Sequence, residues 1–153
     1  MIERITNPEK FEKAVNNIFD SLDIDSEENP YYQIIPNDRQ SFIKAYSHKG
    51  LLAQNVFAWA NLNNLGNYDA GILFVRQPDA KLNKVFFTEQ VWLSNNPKVG
   101  FKLMATALEF ARNQGFEYIR MGAAVKSPAY EKVKKFYKKM GFLLEAESYI
   151  AKL

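Results

Sequence analysis

Three runs dense in β-branched and aromatic residues, Leu51 to Leu62, Tyr68 to Arg76 and Lys84 to Leu93, follow one another with only short polar breaks between them. The breaks are Asn63-Asn64-Leu65-Gly66-Asn67 and Gln77-Pro78-Asp79, both rich in turn chemistry. Separators this short can join only antiparallel neighbours, so the middle of the chain is a β-meander. A helix is then predicted from Pro97 to Gln114, with Gly100, Leu103, Met104, Ala107, Leu108 and Ala111 on one stripe and Gly115 as its C-cap. Phe116 to Val125 reads as a strand, Ser127-Pro128 as the cap of a last helix reaching Met140, and Phe142 to Leu153 as a final strand. A strand, helix, strand crossover of this kind joins parallel strands. The sheet is therefore expected to be mixed, mostly antiparallel and flanked by helices, an α/β (α+β) architecture.

The first third of the chain supplies the other helical layer. Ile2 to Ile5 reads as a short strand. Asn7-Pro8 is a cap followed by proline at the first helical position, and Phe11, Ala14, Val15, Ile18, Phe19 and Leu22 recur at helical spacing. A second helix begins at Asn37-Asp38 with Phe42, Ile43 and Tyr46 on one side, and Tyr31 to Ile35 forms an aromatic loop between the two. The chain has 153 residues, 47% of them hydrophobic, which suits one well-buried domain over residues 1–153.

Composition removes several classes of function. No cysteine is present, which excludes disulfides, thiolate metal sites and a cysteine nucleophile. A lone histidine, His48 beside Lys49-Gly50, reads as a turn residue and leaves no zinc cluster, so no metal is expected. Twenty basic against 17 acidic residues is a balance far from the dense basic patches of nucleic-acid binders, and fits an anionic small molecule better. No segment approaches the roughly 20 apolar residues of a membrane span, and the N-terminus lacks a signal-peptide run, so a cytoplasmic protein is expected.

The stretch Phe136-Tyr137-Lys138-Lys139-Met140-Gly141-Phe142 has a mechanical reading. A helix carrying Phe136 and Tyr137 stops at a glycine able to take positive φ, and Phe142 then enters the core. This ending resembles the "FYxKxGF" signature of the Gcn5-related N-acetyltransferase (GNAT) family, and the order of elements resembles that family over nearly the whole chain. The resemblance implies the acyl-CoA N-acyltransferase fold, acetyl-CoA as acyl donor, and an amine acceptor on a small molecule or peptide. It also implies that the donor lies where the fourth and fifth strands splay apart, with its pyrophosphate on the start of the following helix, whose unpaired N–H groups suit an anion.

The matching segment is Glu89-Gln90-Val91-Trp92-Leu93-Ser94-Asn95-Asn96-Pro97-Lys98-Val99-Gly100-Phe101-Lys102. By the resemblance, Val91, Trp92, Leu93, Lys98, Val99, Gly100, Phe101 and Lys102 are candidate donor-binding positions, with Tyr130 standing where many members have an asparagine that contacts the donor's arm. The family loop reads Arg or Gln, two residues, Gly, one residue, then Gly or Ala. Here Pro97, Gly100 and Lys102 hold those places. Pro97 has no N–H to donate and Lys102 puts a long side chain where close backbone approach is usual, although Lys98 and Lys102 offer point charges to phosphate.

Tyr137 is the candidate general acid for the departing thiolate, and Glu89 the candidate base, provided that strand alternation turns it toward the substrate; a bound water is the alternative. Direct attack by the amine needs no covalent enzyme intermediate. The rival reading is a non-catalytic binding or structural module on the same fold, in line with a looser resemblance of the Glu89 to Ser94 strand to acetyltransferase-like proteins of tailed phages. Only 11 residues follow Phe142, where family members commonly have two strands, so an open sheet edge and a homodimer are expected.

Overall fold

The computed structural model describes residues 1–26, 38–48, 52, 54–123 and 129–146. Strand β1 (Ile2–Ile5) leads into helix α1 (Pro8–Leu22), whose cap Asn7 accepts hydrogen bonds from the N–H groups of Glu9 and Lys10 at 2.9 and 3.1 Å. The apolar stripe of α1 buries Phe11, Ala14, Val15, Ile18 and Phe19. Helix α2 (Arg39–Tyr46) is capped by Asp38 and lays Phe42 against Phe11, Phe19 and Tyr46. The meander follows as β2 (Val56–Leu62), β3 (Tyr68–Asp79) and β4 (Lys84–Leu93), then α3 (Pro97–Asn113), β5 (Tyr118–Arg120) and α4 (Tyr130–Lys139).

The five strands lie side by side in chain order, antiparallel except for the parallel pair β4 and β5 that α3 connects. The period-2 alternation of the strands divides the core into two layers. Ile5, Ala58, Ala60, Leu73 and Leu93 face α1 and α2, while Phe57, Trp59, Ile72, Phe74 and Phe87 face α3, where Leu103, Met104 and Ala107 are fully enclosed. Both helices that follow the meander stop in the same way. After α3, Gly115 at φ +78° lets the Phe116 N–H reach the Ala111 carbonyl, and after α4, Gly141 at φ +84° lets the Phe142 N–H reach the Tyr137 carbonyl. The second motif also sets the Phe142 ring 5.2 Å from that of Tyr137, the hydrophobic contact that commonly accompanies this cap.

Several sequence expectations are corrected. The strand expected from Leu51 starts at Val56, because Leu52 and Gln54 are helical and the Leu52 N–H bonds the His48 carbonyl. Gln77-Pro78-Asp79 is not the break between strands: all three pair with β4, and the reversal falls on residues 80–83, where Asn83 takes φ +50°. Proline fits there because its missing N–H costs nothing where no ladder bond is required of it. Of the strand predicted from Phe116 to Val125, the described residues 116–123 pair only over Tyr118–Arg120, and residues 142–146 are not a strand although a strand was predicted from Phe142. Helix α4 begins at Tyr130, behind Ala129, with no side-chain cap. The aromatic loop at 31–35, the turn at 49–50, the expected cap at 127–128 and residues 147–153 lie outside the described residues.

One irregularity governs the site. Leu73 pairs with Val91 and Phe74 with Glu89, so Gln90 is an extra residue on β4, a β-bulge. Without it, Phe87 and Trp92, five residues apart, would point to opposite faces. With it, both face α3, and Val91 and Leu93 turn to the α1 side.

Candidate active site

Strands β4 and β5 pair from Phe86 to Thr88 against Tyr118 to Arg120 and no further. Just past the last pair, the ladder is continued by a side chain: the Gly122 N–H donates to Glu89 Oε2 at 2.9 Å. The Gly122 carbonyl accepts from the Tyr137 hydroxyl at 2.6 Å. One glycine is thus gripped from both sides by the two residues proposed for proton transfer. A Cβ on Gly122 would lie 3.4 Å from Glu89 Oε2, so the close approach of the carboxylate uses the missing side chain.

The carboxyl of Glu89 is largely withdrawn from water, which raises its pKa from 4.5 to about 6, against the smaller opposing effect of the Gly122 N–H. Burial pushes the Tyr137 phenol well above its ordinary 10, and the nearby Glu89 charge pushes it further. At neutral pH the pair is therefore a carboxylate, able to take a proton, and a phenol, able to give one. Strand alternation keeps Glu89 on the face of Phe87, and the bulge at Gln90 then brings Trp92 to that same face. Gln90, the displaced residue, accepts a hydrogen bond from the Tyr46 hydroxyl of α2 at 3.1 Å, which ties the bulge to the α1/α2 layer.

Trp92 lies along the start of α3. Its Nε1–H donates to the Gly100 carbonyl at 3.2 Å, and a Cβ at Gly100 would stand 3.5 Å from that nitrogen and 3.4 Å from Ser94 Cβ. The glycine that matches the family loop therefore has a packing reason of its own. Trp92 then begins a row of rings, with Phe101 at 6.1 Å, Phe136 at 4.6 Å from Phe101, and Tyr137 next to Phe136. This row holds α4 against α3 and sets the height of the Tyr137 ring.

The N-terminus of α3 is less open than its position suggests. Pro97 has no N–H, and the N–H groups of Lys98 and Val99 both donate to Asn96 Oδ1, at 3.0 and 3.5 Å. The Gly100 N–H makes the first helical bond, to the Asn96 carbonyl. Ser94 Oγ fixes this cap by donating to the Asn96 carbonyl and accepting from its N–H. A diphosphate arriving here would meet no free amide on the first turn of α3 unless it displaced the Asn96 side chain. What remains are the exposed ammonium groups of Lys98 and Lys102.

Glu89, Tyr137, Trp92, Gly100 and Phe101 are thus brought together, with Val99 packed beneath Trp92's layer. The side chains of Val91 and Leu93 are spent on the opposite core, which leaves only their backbone for a donor's arm. Tyr130 opens α4 two turns before Tyr137, with the Lys134 ammonium 4.7 Å over its ring. Sequence reasoning missed Gly122 and Asn96. A glycine inside a predicted strand was the available signal for the first, since it often marks close backbone approach, and asparagine before proline was the signal for the second.

No family model matches the sequence, and no curated protein is significantly similar to it. Solved structures are. An aminoglycoside acetyltransferase from an uncultured soil metagenomic sample superposes with a TM-score of 0.67 at 14% identity, over 100% of this chain and 97% of that one. A ribosomal-protein-alanine N-acetyltransferase from Brucella melitensis biovar Abortus 2308 gives 0.65 at 10% identity, over 100% and 99%. A Trypanosoma brucei acetyltransferase gives 0.64 at 11% identity, over 100% and 99%. The chain has the Gcn5-related N-acetyltransferase fold. Within that GNAT fold, the bulged β4, the short β5 and Tyr137 of α4 meet around Gly122. Among the described residues no helix is long and apolar enough to cross a membrane, and no cluster of three or more metal-ligating side chains occurs.

Proposed function

We propose that the chain is an N-acyltransferase that moves an acetyl group from a thioester, in the simplest case acetyl-CoA, to an amine. The observation that carries this reading is the pairing of Glu89 and Tyr137 on the two sides of Gly122, at the point where β4 and β5 part. A carboxyl with a pKa of about 6 is ionised at neutral pH yet still basic enough to accept the one proton that a neutral amine sheds as it attacks, directly or through one water. Tyr137 stays protonated over the same range and donates to the leaving sulfur. In balance, the carbonyl carbon–sulfur bond breaks and a carbonyl carbon–nitrogen bond forms. The amine loses one proton toward Glu89, and the thiol leaves with one from Tyr137. The donor supplies the activated carbonyl; the chain supplies position, a dry carboxylate and a proton.

The names of the similar structures support an amine acceptor, since they include aminoglycoside and ribosomal-protein-alanine acetyltransferases. A second reading, a non-catalytic module, is favoured by one observation only, the capped first turn of α3. Amine-dependent release of thiol from acetyl-CoA, followed over a panel of amino sugars, polyamines and peptide N-termini, separates the two. We expect turnover with at least one amine class, and a loss of roughly a hundredfold in kcat, with little change in KM for the donor, in Tyr137→Phe. Absence of thiol release with every amine, from acetyl-CoA and from other acetyl thioesters alike and with the protein folded, would move the assignment to the non-catalytic reading.

A further inference from the structure

The charge of the chain is not spread evenly. The first two turns of α3 and the whole of α4 carry seven lysines and one glutamate, a net +6, whereas the complete chain is +3, so everything else sums to −3. The glutamate, Glu131, is engaged by Lys134 at 3.7 Å. Lys98, Lys102, Lys132, Lys135, Lys138 and Lys139 are all exposed, and no carboxylate among the described residues forms an ion pair with any of them. The Phe101–Phe136 contact of 4.6 Å joins the two helices at the middle of this face. On α3, Lys98 stands at helical spacing from Phe101 and from Lys102, and on α4, Lys132 and Lys139 stand at helical spacing on either side of Phe136. Phe101 itself is 42% exposed, an aromatic on the same face as these exposed lysines. The face adjoins the acyl-transfer centre, since Tyr137 follows Phe136 and Trp92 abuts Phe101.

Two observations define the occupant. The backbone amides that would hold a nucleotide's diphosphate are filled by Asn96 or absent at Pro97, so the site offers little directional recognition of that group. The lysine face runs along the ten residues of α4, about 15 Å, which exceeds what a single phosphate group spans. A broad cationic surface around an apolar anchor suits a protein surface of opposite charge.

We infer that the α3–α4 lysine face docks an acidic carrier protein, which presents the acyl thioester on a phosphopantetheine arm so that the arm enters between β4 and β5 and no nucleotide has to be bound. This rests on the acyl-transfer reading and names its donor. The charge on the carrier supplies association, and Phe101 supplies the desolvated contact.

The test uses an acetylated acyl carrier protein with an acidic recognition helix, labelled for fluorescence anisotropy, together with acetyl-pantetheine and acetyl-CoA as carrier-free donors. The wild-type chain should bind the carrier, and binding should weaken at least tenfold between about 0.05 and 0.3 M salt, as expected for many exposed charge pairs. The triple variant Lys132→Glu, Lys135→Glu, Lys139→Glu should lose carrier binding by tenfold or more while its thermal unfolding and its transfer from acetyl-pantetheine are retained. Acetyl-CoA should be used no better than acetyl-pantetheine. No carrier binding, carrier binding that the triple variant retains, or a tenfold preference for acetyl-CoA over acetyl-pantetheine would each overturn the inference and leave acyl transfer standing. Transfer from none of the three donors would remove the acyl-transfer reading itself.

Discussion

Replacing Glu89 by glutamine should make the protein more stable and less active at once. The carboxyl titrates near 6 in the folded chain, against 4.5 for an unperturbed glutamate, because burial disfavours its charge more than the Gly122 N–H favours it. A rise of that size corresponds to about 2 kcal/mol of destabilisation when the group is ionised, at 1.36 kcal/mol for each pKa unit. The sign follows from proton counting. Between pH 4.5 and 6 the native state holds more protons at this site than the unfolded state, so stability falls as pH rises through that window. Above it the full penalty applies, and below it none. Glutamine keeps an oxygen for the Gly122 N–H and removes the charge. Glu89→Gln should therefore exceed the wild type by up to about 2 kcal/mol at pH 7.5, equivalent to roughly 4–8 °C in Tm for a chain of this length. The two should converge below about pH 4.5. Urea unfolding at closely spaced pH values measures this, and the same preparations assayed for acyl transfer should show a loss of about tenfold to a hundredfold in kcat/KM near neutrality. The wild-type rate should also rise with pH through an apparent pKa near 6. If Glu89→Gln is no more stable than the wild type at pH 7.5, or if the difference between them does not change with pH, the carboxyl is not held as the geometry requires.

Other changes probe separate parts. Asn96→Gly should release the Lys98 and Val99 N–H groups at a cost of only a few tenths of a kcal/mol, and raise affinity for inorganic pyrophosphate, measured by calorimetry; unchanged affinity would mean that the cap is not what closes the helix start. Gly141→Ala should cost about 1 kcal/mol in chemical unfolding, because alanine is strained at φ +84° and the cap orders Tyr137 and Phe142; a neutral result would show that α4 can stop another way. Leu103→Ala, at a fully enclosed position between α3 and the sheet, should cost about 2–5 kcal/mol, and a loss below 1 kcal/mol would contradict close packing there.

Local chemistry made much of the molecule legible from its sequence. Asn7-Pro8 started its helix as expected, the helix from Pro97 formed where it was predicted, and Gly115 and Gly141 ended theirs, because caps and positive-φ glycines act within one helical turn. The meander and the parallel crossover followed from break lengths and periodicity, and those together set the mixed sheet. Tyr137 and Glu89 were named from a short motif and a strand position. What the sequence did not decide were the features that depend on partners distant along the chain. The extra residue at Gln90 is a mismatch between β4 and β3, visible only once Phe74 is seen opposite Glu89 and Leu73 opposite Val91. That mismatch brings Trp92 to the α3 side beside Glu89 while sending Val91 and Leu93 to the other core. The role of Gly122 needs Glu89, 33 residues before it, and Tyr137, 15 after it, to converge on one residue. The shortness of β5 likewise reflects how long two strands stay parallel before they part. Propensity and capping are properties of neighbouring residues, whereas register, divergence and burial of a charge are set by how the whole sheet closes on its helices.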